Sequence, residues 1–225
     1  MAETDSVTGL YNRAAFNSAV QEMLQNAKPN EYILSVIDMD NFKVLNDLYG
    51  HEEGDKVLRH MAKKIKLMTD QMQGVCCRAD SDNFVYVMKC GEETSGSNDS
   101  LMTDFFTYYK LPFRFVVRAG RFIINDLSIS IDAMIDRAML AKKSIKGVYN
   151  KIEAYYTDEM RDKLIMEQAL VADAESAIAN DEFVVYFQPK FSISSGKIVG
   201  AEALVRWNHP TYGFLTPSAF IPLFE

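Results

Sequence analysis

The sequence predicts an α/β (α+β) fold, a mixed sheet covered by helices. Three observations carry this. Short apolar runs bounded by turn residues alternate with segments of helical period. Two of those runs, Val75–Cys77 and Phe84–Met88, are consecutive and flank a short polar loop, a hairpin signature that excludes a purely parallel sheet. At 225 residues and 48% hydrophobic content, the chain has enough apolar material for one full domain and part of another.

In order, Phe16, Val20 and Leu24 mark a helix over Arg13–Leu24. A strand follows at Tyr32–Asp38, then a short helix over Phe42–Tyr49. Gly50 and Gly54 read as interruptions, so the next helix is expected from about Lys56 to Met68. Its apolar stripe is Val57, Leu58, Met61, Ile65 and Met68, opposite Lys63, Lys64 and Lys66. After the hairpin come a polar loop over Gly91–Ser100, a helix over Leu101–Lys110, and two strands, Phe113–Val117 and Gly120–Ile124. Ile131–Ile145 is an amphipathic helix whose small residues permit close packing on a sheet. A further helix spans Thr157–Asn180, and strands near Phe183 and Leu204 can pair through a Ser194-Ser195-Gly196 turn.

Composition narrows the function. A formal charge of −7 argues against general nucleic-acid or anionic-membrane binding. No run is long enough to span a bilayer and no basic-then-apolar leader opens the chain, so a cytoplasmic location is expected. Three cysteines lack metal-ligand spacing and fit a reducing compartment. Cys76 and Cys77 are neighbours on a strand, which predicts one in the core and one half-exposed. The twelve methionines fall mostly on apolar stripes and read as core. His51 reads as a turn-shaping residue within Gly50-His51-Glu52-Glu53-Gly54.

The chemistry concentrates at Val36-Ile37-Asp38-Met39-Asp40-Asn41-Phe42-Lys43-Val44-Leu45-Asn46-Asp47, followed by Gly50-His51-Glu52-Glu53-Gly54-Asp55. Asp38 and Asp40, two apart on a strand end, face the same way. With Asn46 and Asp55 they suit a hard cation and a purine that both donates and accepts hydrogen bonds.

This string, with Asp5-Ser6-Val7-Thr8-Gly9-Leu10-Tyr11-Asn12-Arg13 upstream, closely resembles the GGDEF family of diguanylate cyclases over about residues 4–150. The first motif resembles D-x-L-T-G-L-x-N-R, with Val7 for leucine. The second resembles D-x-D-x-F-K-x-x-N-D-x-x-G-H-x-x-G-D at every specified position. The resemblance implies a ferredoxin-like, polymerase-palm fold, with Phe42, Asn46 and Asp55 as nucleotide contacts and Asp38 and Asp82 as ligands of a weakly held Mg2+. Asp136 to Lys143 resembles the late A-D-x-A-L-Y-x-A-K helix, which implies Lys143, or else Lys146, as a phosphate contact.

The departure lies at Arg78-Ala79-Asp80-Ser81-Asp82-Asn83-Phe84, where the family has R-Y-G-G-D/E-E-F. Both glycines are replaced, and with them the close backbone approach they permit. Asp80 brings a negative charge to the triphosphate side. At about 4 Å and an effective dielectric near 20, such a like-charge pair costs about 4 kcal/mol before screening. Asn83 replaces the second acid. Asp82 remains as a vestigial catalytic acid, and cyclisation is expected to be lost. The stretch Gln71 to Gly74 lacks the R-x-x-D of the family's product-inhibition site.

A second resemblance begins after Tyr149. Phe187-Gln188-Pro189 and Glu202-Ala203-Leu204-Val205-Arg206-Trp207 resemble the opening of an EAL domain, the cyclic di-GMP phosphodiesterase, and Pro217–Glu225 fits its P-x-x-F-I-P-x-x-E. The resemblance implies Glu202 as a metal ligand, Gln188 near the substrate and Arg206 on its phosphate. Domains are expected at 1–156 and 157–225, the second too short to close a barrel, so that the chain reads as part of a longer protein and its apolar strands lack neighbours. Expected partners are GTP or GDP, bound weakly, the remainder of the EAL domain and a second copy of the chain. Two functional readings stand beside a purely structural linker: a non-cyclising GTP-binding or dimerising regulatory module, and a weakly active cyclase using Asp38, Asp82 and Asp40 or Asp80 for metals.

Overall fold

The computed structural model describes residues 3–91 and 116–224. They form two compact units, Met1–Met160 and Arg161–Glu225. The expected helix over Leu101–Lys110, the Gly91–Ser100 loop beyond Gly91 and the first residues of Phe113–Val117 lie outside the described residues.

The first unit is a five-stranded mixed sheet ordered β2-β3-β1-β4-β5. The central strand β1 (Tyr32–Met39) pairs antiparallel with β3 (Asn83–Lys89) and β4 (Val117–Ile123). β2 (Val75–Asp80) closes the hairpin on β3, and β5 (Glu153–Tyr155) runs parallel to β4. Alternation along β1 sends Ile33, Ile37 and Met39 into one core beneath α2 (Phe42–Tyr49) and α3 (His51–Gln71). Leu34 and Val36 enter the other core, beneath α1 (Arg13–Leu24) and α4 (Ile131–Ser144). Both faces are therefore covered, and this corrects the reading of the paired cysteines. Cys76 and Cys77 are both buried, one in each core, and burial pushes the Cys77 thiol up to about 12.

Three boundaries differ from the sequence reading. α3 starts at His51, not Lys56, with Gly54 buried inside the helix. β4 runs unbroken through Ala119 and Gly120, so one strand stands where the reading ended one and began another. β5, three residues long, was not anticipated.

The first sequence motif does structural work. Asp5 accepts from the amide and hydroxyl of Thr8 at 2.8 and 2.7 Å and from Arg78 of β2 at 3.2 Å. Burial opposes its ionised form, but these bonds outweigh burial and hold its carboxyl below the usual carboxylate range. Asn12 caps α1 by accepting from the Ala15 amide at 3.0 Å.

The second unit holds most of α5 (Asp158–Ala179), the antiparallel strands β6 (Phe183–Phe191), β7 (Ile198–His209) and β8 (Gly213–Leu215), and the short α6 (Pro217–Phe220). Leu170, Ala177, Trp207, Leu215 and Phe220 form its core. The Trp207 indole donates to Glu182 at 2.9 Å, and His209 meets Asp173 at 3.3 Å. Trp207 is thus fully buried, against the expectation that it lacks neighbours, whereas Val185 and Phe187 are exposed as expected.

Candidate functional site

Two helices and three strand ends meet at the C-terminal end of β1. The chain leaves β1 through Asn41, which takes a left-handed conformation (φ 66°) that asparagine tolerates, and enters α2 at Phe42. Phe42 is buried, so it supports the site from the core side. One helical turn on, Asn46 presents its amide to α3. Gly54 makes the helix crossing there: a Cβ would lie 1.9 Å from Asn46 Oδ1 and 3.3 Å from the Phe42 ring. Asn46 Oδ1 is buried with no hydrogen-bond partner among the described residues. Asp55, next along α3, is half-buried and lies 3.6 Å from Arg59. The unsatisfied amide oxygen thus lies against Gly54, the residue before Asp55.

Asp38 points to the face occupied by α4, as the alternation of β1 requires, and Asp40, in the turn just past β1, meets Arg118, the cross-strand partner of Asp38. Each carries a cation of the chain itself. Lys142 Nζ lies 2.7 Å from Asp38 Oδ2, and Arg118 Nε lies 2.7 Å from Asp40 Oδ2. Arg118 also donates to the carbonyls of Ile145, Val148 and Lys151. Asp82 accepts from the Met39 amide at 3.4 Å.

The β2–β3 tip closes on itself. Asn83 Nδ2 donates to Asp80 Oδ1 at 2.7 Å, and Arg78 Nε donates to the Ser81 carbonyl at 2.7 Å. Ser81 stands where the family has glycine and takes a positive φ of 37°. Lys142 spans the gap to this tip, with its Nζ 3.0 Å from Asn83 Oδ1.

The lysine beside the acids is therefore Lys142. Lys143, the residue chosen by motif position, is exposed, as is Lys146. Sequence reasoning missed Lys142 and Arg118. The periodicity of α4 held the signal for the first, because Ile135, Ala138 and Lys142 fall on one helical face, whereas Lys143 is rotated by about 100°.

GGDEF and EAL domains generally use divalent metal ions. Here the donors of Asp38 and Asp40 carry ammonium and guanidinium groups, and Asn83 is neutral. Among the described residues no three His, Cys, Asp or Glu side chains converge to hold a metal ion. The residues present do not fit such an ion while Lys142 holds its place.

In the second unit, Gln188 of β6 and Glu202 of β7 are direct cross-strand partners, both exposed, and Lys190 lies 3.4 Å from Glu202. Arg206 is on the same face of β7, about 13 Å along at a strand rise of about 3.3 Å, opposite Val184.

Comparison with known proteins agrees with this architecture. Residues 2–110 match the family model described as "Diguanylate cyclase, GGDEF domain", and residues 171–225 match the EAL domain. Cyclic di-GMP phosphodiesterase PdeR of Escherichia coli is 28% identical over the whole chain, which covers 34% of that protein. The chain spans about a third of the length of the curated relatives it matches. Among solved structures, Vibrio cholerae LapD S helix-GGDEF-EAL, bound to c-di-GMP, superposes with a TM-score of 0.61 at 19% identity, over 99% of this chain and 53% of that one. The GGDEF domain of DgcB from Caulobacter crescentus, in complex with c-di-GMP, gives 0.57 at 23% identity, over 69% of this chain and 96% of that one. Residues 2–110 thus match a GGDEF domain, and residues 171–225 the opening of an EAL domain.

Proposed function

We propose that this chain is part of a cytoplasmic cyclic di-GMP signalling protein. Its GGDEF domain, residues 1–156, is a non-cyclising module that binds GTP or GDP weakly, or dimerises. It regulates the EAL phosphodiesterase that begins in residues 157–225. The signature tip carries this reading: Asp80-Ser81-Asp82-Asn83 is tied to itself and to Lys142, so side chains and a carboxylate fill the space where the family's glycines admit phosphates. Guanine selectivity rests on Asn46 and Asp55, with Phe42 beneath them. In this reading any Mg2+ is held weakly, by the nucleotide's phosphates, because Lys142 already occupies Asp38. The relative PdeR, named as a phosphodiesterase, supports placing the output in the EAL part. Among the described residues no helix is long and apolar enough to cross a membrane, which accords with the cytoplasmic assignment.

The second reading, a weak cyclase, draws on Asp38 and Asp82 lying at one strand end. Incubation with GTP and Mg2+ or Mn2+, followed by chromatography of the products, separates the two. We expect no cyclic di-GMP. Product above that of an Asp38→Ala/Asp82→Ala control establishes the cyclase instead.

A further inference from the structure

We infer that Lys142 is a resident cation that takes over the divalent metal's place at the end of β1, making this a GGDEF domain whose acidic site is neutralised by its own helix. Three independent features place it there. Its Nζ bridges Asp38 Oδ2 at 2.7 Å and Asn83 Oδ1 at 3.0 Å, so one ammonium joins β1 to the signature tip. Its side chain is only 12% exposed, so the group is held in the site and not sampled from solvent. Its backbone is fixed by the sheet: at Gly120 of β4 an added Cβ would lie 1.9 Å from the Ala138 carbonyl oxygen and 2.4 Å from the Lys142 amide nitrogen. α4 therefore lies on β4 at this point, and the aliphatic stem of Lys142 has one short route, along the sheet to Asp38.

The change at Asn83 complements the lysine. A carboxylate in that position suits a metal. An amide serves an ammonium equally well, accepting through Oδ1 from Lys142 while its Nδ2 donates to Asp80. Two of the four acids here, Asp38 and Asp40, are thus paired with cations of the chain, while Asp80 and Asp82 accept from neutral N–H groups. Asp38 is paired to Lys142, Asp40 to Arg118, and Asp80 is held by the Asn83 amide. The remaining oxygen of Asp38, Oδ1, is buried and has no hydrogen-bond partner among the described residues. A single such oxygen beside an ammonium is a poor site for a divalent ion, which needs several oxygens and is repelled by the neighbouring positive charge. Removing the ammonium returns both oxygens of Asp38 to a cation. This inference stands on the ion-pair geometry alone and holds whether or not guanine nucleotides bind.

The test is a titration of residues 1–225 with MnCl2, reading free Mn2+ by electron paramagnetic resonance, with circular dichroism to establish folding of each variant. Wild type and Asp38→Asn are expected to bind Mn2+ alike. Lys142→Ala and Lys142→Met are expected to bind it at least tenfold more tightly, and Lys142→Ala/Asp38→Asn to lose that gain. Lys142→Met keeps the aliphatic stem and carries the test where the alanine variant does not fold. Lys142→Arg retains the charge and is expected to show no gain. Wild-type Mn2+ binding that Asp38→Asn weakens, or folded Lys142 variants with unchanged affinity, overturns the inference. Where neither neutral Lys142 variant folds, the comparison of wild type with Asp38→Asn decides it.

Discussion

Asn46 and Gly54 act as one device at the crossing of α2 and α3. The absent side chain of Gly54 makes room for the Asn46 amide, whose oxygen is buried without a partner among the described residues. A ligand that donates a hydrogen bond recovers what that oxygen loses. Asn46→Ala is expected to weaken GTP binding by about 1–2 kcal/mol, the worth of a hydrogen bond at such a site. Gly54→Ala separates binding from stability. Alanine favours the helix by about 1 kcal/mol; the nearest atoms it strikes are the end of the Asn46 side chain, and the Phe42 ring at 3.3 Å has to give by only a few tenths of an ångström, so the fold is expected to tolerate it. The displaced amide no longer reads the base, and affinity falls as in Asn46→Ala. Titration with a fluorescent guanine nucleotide, with ATP as competitor, checks both variants; equal ATP affinity, or unchanged binding in either, removes the base site. At this scale strand alternation made Asp38 and Asp40 legible as a pair, and motif spacing picked out Asn46 and Asp55. The periodicity of α4 put Lys142 on the sheet-facing side, but neither its partner nor that of Arg118 was legible, because each contact joins elements far apart in sequence: Lys142 lies over one hundred positions from Asp38.

Elements set where those side chains stand. The two nearest atoms that an added Cβ at Gly120 would meet belong to the backbone of α4, which has no soft end to yield. Gly120→Ala is therefore expected to lift α4 from β4 and to destabilise the first unit by about 3 kcal/mol, at the upper range of ordinary overpacking. Urea denaturation measures this, and a change below about 0.5 kcal/mol contradicts the packing described. The helices α1, α2 and α4 and the β2–β3 hairpin were legible from periodicity and turn chemistry. The misreadings share a cause. Gly54 and Gly120 act as punctuation in a sequence, but here each marks a close approach between two elements, which only the assembled fold reveals. β5 escaped notice because three residues carry no period. Its placement depends on parallel pairing with β4 and on Arg121, fully buried, lying 2.9 Å from Glu153. The both-buried cysteines follow similarly, from a sheet covered on two faces instead of one.

The whole molecule divides chemistry unevenly. In the first unit the signature tip and Lys142 are tied together beside Asp38, while Asn46 and Asp55, proposed to read the base, are both present. In the second, Gln188 and Glu202 stand side by side on adjacent strands with Arg206 farther along the same face. A lone Glu202 beside Lys190 offers one carboxylate to a metal, and hydrated Mg2+ is reluctant to exchange its waters for so few ligands. Metal-assisted hydrolysis needs further carboxylates from other strand ends, so residues 1–225 are expected not to hydrolyse cyclic di-GMP. A longer polypeptide that completes the barrel is expected to hydrolyse it, with Glu202→Gln abolishing turnover. If the first unit regulates that activity, GTP must bind two states of the protein unequally, since a ligand of equal affinity for both shifts nothing. GTP should then change the hydrolysis rate, and Asn46→Ala should erase the change while leaving the basal rate as it was. Hydrolysis followed by chromatography, with GTP varied, reads all of this. A complete protein without activity, or one whose rate is indifferent both to GTP and to Asn46→Ala, removes the regulatory role from the first unit.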